Sequence, residues 1–149
     1  MHDAVTVHMT ATPERIWELV SDVTRIGRYS PETFEAEWLD GATGPAVGAK
    51  FRGHVKRNGI GPIYWTKCIV LACEPGREFA FGVGPSKRPW NVWRYRLEPK
   101  GDGTDVTESF ELAPLPFFRV YWARLGWARG RTNRNGMRAT LERIKAEVE

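Results

Sequence analysis

Ala11-Thr-Pro-Glu-Arg-Ile-Trp-Glu-Leu-Val-Ser-Asp22, followed by Ile26-Gly-Arg-Tyr-Ser-Pro-Glu32, is the stretch that decides how this chain is read. Thr12 is a helix N-cap residue, Pro13 suits a first helical position where no amide partner is missed, and Glu14 favours the positive end of the helix dipole. Ile16, Leu19 and Val20 recur at helical spacing beside Trp17, so the helix has an apolar face that must pack on something. A second short helix near Asp22 to Arg28 should end before Ser30-Pro31, because the residue preceding a proline is pushed out of the helical region.

On either side of this stretch the period changes from helical to alternating. Val5 and Val7 alternate with Thr6 and His8, which predicts a half-buried first strand. Downstream, Phe34 to Leu39, Ala49 to Lys56, Ile63 to Cys73, Glu78 to Val83, Asn91 to Glu98 and Thr104 to Leu112 are predicted strands, separated by Gly, Pro or Asp-Gly turns. Alternation puts Phe51, Gly53 and Val55 on one face and Arg52, His54 and Lys56 on the other. It likewise opposes Phe79, Phe81 and Val83 to Ala80 and Gly82, and Trp93, Tyr95 and Leu97 to Arg94 and Arg96. One sheet face is thus expected to be aromatic and covered, the other polar and wet. Met137, Leu141, Ile144 and Val148 recur at helical spacing and provide the cover. Gly126, Gly130 and Gly136 weaken the helix upstream, so the firm helix is placed from about Arg131 onward.

The 149 residues, 42% hydrophobic and 12% aromatic, suit one domain with a sizeable core, residues 1–149. The amino-terminal residues do not have the pattern of a signal peptide, and the longest aliphatic run, Ile69 to Cys73, is too short to cross a bilayer, so a cytoplasmic protein is expected. Cys68 and Cys73 are an odd number of positions apart on one strand, which predicts opposite faces and no disulfide. The net charge of +4 is local. Arg119, Arg124, Arg129, Arg131, Arg134 and Arg138 fall in a segment without acidic residues, and elsewhere the 18 acidic residues outnumber the basic ones.

A strand, two short helices, a six-stranded antiparallel meander and a long terminal helix, in that order, resemble the START-like, or SRPBCC, superfamily, and within it the polyketide cyclase/dehydrase-type branch. The resemblance is carried by Thr12-Pro-Glu-Arg-Ile-Trp17, Ser21-Asp22, Ser30-Pro31, Gly48-x-x-Phe51-x-Gly53, Trp93-x-Tyr95 and Gly103-Thr104-x-Val106-Thr-Glu-Ser109, together with the terminal helix. It implies an α+β helix-grip fold: a curved antiparallel sheet of about seven strands wrapped around the C-terminal helix, with an elongated cavity between them for lipids, polyketides or other apolar molecules.

Trp65, Phe79, Phe81, Trp93, Tyr95, Phe110 and Trp122 are the candidates for cavity walls; the competing reading is an ordinary aromatic core. Glu108 shares strand parity with Val106 and Phe110. If those point inward, the carboxyl does too, and desolvation raises its pKa toward acid–base chemistry. A bulge would instead turn it outward and bring in Thr107 and Ser109. Arg129 falls near Trp122 on a helical wheel and is a candidate for meeting a carboxylate or enolate. Glu108, Tyr95 and Arg129 are therefore the candidate catalytic set, for proton transfer, orientation and oxyanion stabilisation.

His2, His8 and His54 are isolated, and neither metal-ligand nor nucleotide-loop spacing is present, so no metal, no cofactor and no nucleic-acid partner is expected. Arg124, Arg131, Arg134 and Arg138 form a stripe that reads as a solvated helix face or as a contact for an anionic membrane surface. The leading functional expectation is binding or carriage of a hydrophobic small molecule. The alternative is a cofactor-independent polyketide cyclase/aromatase or dehydratase. Oligomeric state is left open.

Overall fold

The computed structural model describes residues 2–56, 61–113 and 116–149, with the backbone alone for 116–130 and 132. Strand β1 (His2–Met9) leads into helix α1 (Pro13–Val20) and a short 3₁₀ helix (Val23–Arg28). Six further strands follow: β2 (Thr33–Trp38), β3 (Lys50–Lys56), β4 (Ile63–Glu74), β5 (Glu78–Val83), β6 (Asn91–Lys100) and β7 (Gly103–Leu112). Helix α2 (Pro116–Val148) ends the chain. The seven strands form one antiparallel sheet in the order β1-β7-β6-β5-β4-β3-β2. Helix α2 lies along β1 and β7, and α1 packs between β6 and α2.

The opening stretch forms as its residues dictate. Thr12 is extended and its side chain accepts a hydrogen bond from Arg15 N at 3.3 Å, with Pro13 in the first helical turn. Asp22 caps the 3₁₀ helix by accepting from Thr24 N at 3.1 Å, and Ser30 Oγ closes the exit turn by accepting from Thr33 N at 3.0 Å. Gly27 is required here, since a Cβ would collide with the Phe34 carbonyl as the chain folds back into β2. Two ties fasten this region to the end of α2: Arg15 Nε donates to the Val148 carbonyl at 2.8 Å, and Arg28 pairs with Glu147 at 3.0 Å.

Strand alternation sorts the inner face well. Phe51, Gly53 and Val55 are buried on β3, Tyr95 and Leu97 on β6, and Thr104, Val106, Glu108 and Phe110 on β7. Ile16, Leu19 and Val20 of α1 meet this core, and Leu141, Ile144 and Val148 close it from α2.

Three expectations require correction. Helix α2 begins at Pro116 rather than near Arg131, running through Gly126, Gly130 and Gly136. Each glycine costs about 1 kcal/mol in a helix, too little to break one held against a sheet. Cys68 and Cys73 do not take opposite faces. A register shift between Val70 and Ala72 adds one residue, so Cys73 lies opposite the buried Phe79 and packs against the core, while Cys68 is also buried; both are free thiols. The outer face is not uniformly polar either. Ala80 and Gly82 are buried there, and a Cβ on Gly82 would meet Pro89 at 2.5 Å, because the β5–β6 connection folds over that side.

Candidate functional site

Between the inner face of the sheet and α2 lies an open cavity of about 190 Å³. Its sheet wall is Phe51, Gly53 and Val55 on β3, Thr66 and Cys68 on β4, and Phe81 and Val83 on β5, continued by Asn91, Trp93 and Tyr95 on β6. Asn133, Gly136, Met137 and Thr140, at helical spacings of three and four, form the wall on α2. The segment Ser30–Thr33 and Ile26 supply the rim. The space exists because α2 presents small or polar residues on this part of its stripe. A Cβ built on Gly136 would touch nothing within 4 Å, whereas the same stripe further along is filled by Leu141 and Ile144, both fully buried.

Glu108 enters this cavity from the middle of β7. Its inward direction follows from unbroken alternation: Thr104, Val106, Glu108 and Phe110 are all buried, and Glu108 itself is only 4% exposed. It lies opposite Tyr95 in the β6–β7 register, and the Tyr95 hydroxyl donates to Glu108 Oε1 at 3.1 Å. Glu108 Oε2 has no hydrogen-bond partner among the described residues.

Burial disfavours the ionised carboxylate and pushes Glu108 up to about 8; the Tyr95 hydrogen bond opposes this only in part. Tyr95 and Tyr29 are both held above the ordinary phenol range, first by burial and then by the Glu108 charge. At neutral pH the group is therefore mostly a neutral acid beside two neutral phenols. Such a group can donate a proton or a hydrogen bond to a ligand, or take a proton when ionised.

The aromatic candidates separate into distinct environments. Phe81, Trp93 and Tyr95 line the cavity. Phe79 is core, 1% exposed with its ring 6.1 Å from Trp17, and Phe110 lies beside Trp93 as its cross-strand partner with ring centroids 4.8 Å apart. Trp65 is not a cavity wall. On β4 the inward positions are Thr66 and Cys68, so Trp65 points out and is 41% exposed, stacked on His54 at 4.1 Å with the Arg52 guanidinium above it. His54 also bonds Glu35 there, at 2.7 Å.

The side chains of Trp122, Arg124 and Arg129 lie outside the described residues. Arg131 and Arg138 are exposed, and Arg134 pairs with Asp3 at 2.7 Å. Among the described residues no cluster of three or more His, Cys, Asp or Glu side chains is placed to hold a metal. A second recess of about 170 Å³ opens on the outer face among Arg94, Arg96 and Glu111, where Glu78 already engages both arginines.

Sequence reasoning passes over the lining residues Asn91, Asn133 and Thr140, and the buried Tyr29. Asn91 shares strand parity with Trp93 and Tyr95, and Asn133 and Thr140 share the helical stripe of Met137, so the pattern that found their neighbours also contains them. Tyr29 carries no such signal. It sits at the end of a 3₁₀ helix, where neither the strand nor the α-helical period applies, yet it is only 2% exposed.

The fold recurs in solved structures. A START superfamily protein from Mycobacterium smegmatis aligns over 99% of this chain and 96% of its own, with a TM-score of 0.74 and 16% identity. A Chromobacterium violaceum protein gives 0.72 at 16% identity over 99% and 97% of the two chains. A polyketide-cyclase-like protein from Corynebacterium glutamicum shares 27% identity over 99% and 88%, with a TM-score of 0.60. No curated protein matches the chain. Residues 3–149 match the family model described as polyketide cyclase/dehydrase and lipid transport. With that match over nearly its full length, and with a curved sheet holding one long helix across an open cavity, the chain belongs to the polyketide cyclase/dehydrase and lipid transport family.

Proposed function

We propose that this protein binds and carries a hydrophobic small molecule, with its apolar body against Phe81, Trp93 and Met137 and a polar group held at Glu108 and Tyr95. The observation that carries this reading is a buried carboxyl with one unpartnered oxygen in the wall of an open, largely apolar cavity. Ordinary cores pair such groups, and ligand sites combine apolar walls with a few placed polar atoms. Family membership supports apolar-ligand binding in general terms. The test is native mass spectrometry of the purified protein, followed by titration with Nile red. A bound apolar mass or saturable dye binding is expected; absence of both would reject the reading.

The alternative, a cofactor-independent cyclase or dehydratase, is favoured by one observation, the Glu108 carboxyl shifted up to about 8 beside Tyr95. In a dehydration, ionised Glu108 takes the proton from the carbon next to a carbonyl. The β-hydroxyl then leaves with that proton as water, and Tyr95 holds the carboxyl in place. With β-hydroxy thioester substrates, Glu108→Gln is expected to lower turnover by about 100-fold or more. Unchanged turnover would exclude Glu108 as the acid–base group.

A further inference from the structure

The cavity is polar at two separate places. Glu108 Oε2 and Asn91 Oδ1 are the two buried side-chain polar atoms without a hydrogen-bond partner among the described residues, and both residues line the same space. A buried polar atom left unpaired is costly, and a bound group that pairs with it recovers that cost.

Strand register fixes how far apart the two places are. Glu108 is directly opposite Tyr95, and Asn91 lies four residues before Tyr95 on the same face of β6. At about 3.3 Å per residue the two sites are separated by about 13 Å along the strand. The row between them is Phe81 paired with Trp93, which is apolar.

The two ends also differ in what they offer. The Tyr95 hydroxyl already donates to Oε1, so on the neutral acid the unpartnered Oε2 carries the proton and is a donor. Asn91 Oδ1 is an acceptor. The described lining holds the carboxyl groups of Glu32 and Glu108 and no Lys, Arg or His, which disfavours an anionic head.

We propose that the cavity takes an elongated, uncharged molecule with an oxygen acceptor at the end received by Glu108 and a hydroxyl or N–H donor, about 13 Å along it, received by Asn91. This rests on the hydrophobic-ligand reading and narrows it to neutral molecules with polar groups at two points, in preference to fatty-acid anions.

The experiment is calorimetric titration at pH 7 with decane-1,10-diol, whose extended length suits the separation, decan-1-ol and decanoate. The diol is expected to bind about five- to tenfold more tightly than decan-1-ol, the gain of one further buried hydrogen bond. Decan-1-ol is expected to exceed decanoate by about tenfold or more, since the carboxylate would be desolvated beside a carboxyl group. In Asn91→Leu the ratio of diol to decan-1-ol affinity should fall to about one. Equal affinities for diol and decan-1-ol in the unaltered protein, or tighter binding of decanoate, would overturn the inference and leave hydrophobic binding standing. If none of the three binds, the hydrophobic reading falls and the inference with it. The comparison within the unaltered protein decides the matter even if the variant does not fold.

Discussion

The two ends of the sheet–helix sandwich solve the same packing problem differently. At the end closed by α1, Met9, Ile16, Leu97, Val106, Leu141 and Ile144 are all 5% exposed or less and belong to one core cluster. At the other end the same sheet and the same helix stand apart around an open space, with Asn133, Gly136 and Thr140 on α2 where large aliphatics would close it. The curved sheet is common to both ends. The identity of the residues on one helical stripe decides whether the gap is filled or kept.

That contrast can be tested by deletion. Leu141→Ala, in the close-packed end, is expected to cost about 3–5 kcal/mol in urea unfolding. Met137→Ala should cost at least about 1 kcal/mol less, because the buried methionine lines the cavity and its truncation enlarges existing space rather than opening a new void. Equal costs would mean that the two ends are packed alike.

Charge provides the next test. Burial raises the folded-state pKa of Glu108 from the ordinary 4.5 to about 8, so the folded protein holds this proton more tightly than the unfolded chain. The resulting stability is fully present below about pH 4.5 and is lost progressively as pH rises toward 8. Between pH 4.5 and pH 7 the loss should be on the order of 3 kcal/mol. Glu108→Gln, neutral throughout, should show a flatter profile over that window. An identical pH profile in the variant would place the carboxyl in contact with water.

Filling the space should have the smallest effect on stability and a clear effect on binding. Gly136→Leu adds a side chain where a Cβ meets nothing and replaces a poor helix former, so stability should hold or rise by about 1 kcal/mol. Binding of Nile red should weaken at least about tenfold. A variant that binds as well as the parent would move the ligand site elsewhere.

Much of this contrast is legible in the residues themselves. The cap at Thr12, the alternation through β3, β6 and β7, and the stripe from Met137 to Val148 place these elements within a few residues of where they lie, the start of α2 excepted. Sequence parity with Val106 and Phe110 offers an inward Glu108 only if no bulge intervenes, and in the structure Thr104 to Phe110 alternate without interruption. Alternation misleads where a single residue shifts the register, as at Val70–Ala72, where Cys73 turns to the core side. Aromatic character alone makes Trp65 a candidate cavity wall, whereas its parity with Ile63 and Lys67 sends it outward into the His54 and Arg52 stack. Tyr29 is buried where it feels the Glu108 charge only through the tertiary fold, which no local period encodes.

The most direct test of a ligand site at the Glu108 end is ¹³C-carboxyl and indole N–H NMR of the protein titrated with decan-1-ol. The Glu108 carboxyl resonance should shift saturably while the Trp65 indole, on the outer face, stays in place. A saturable shift at Trp65 with Glu108 unmoved would contradict the account.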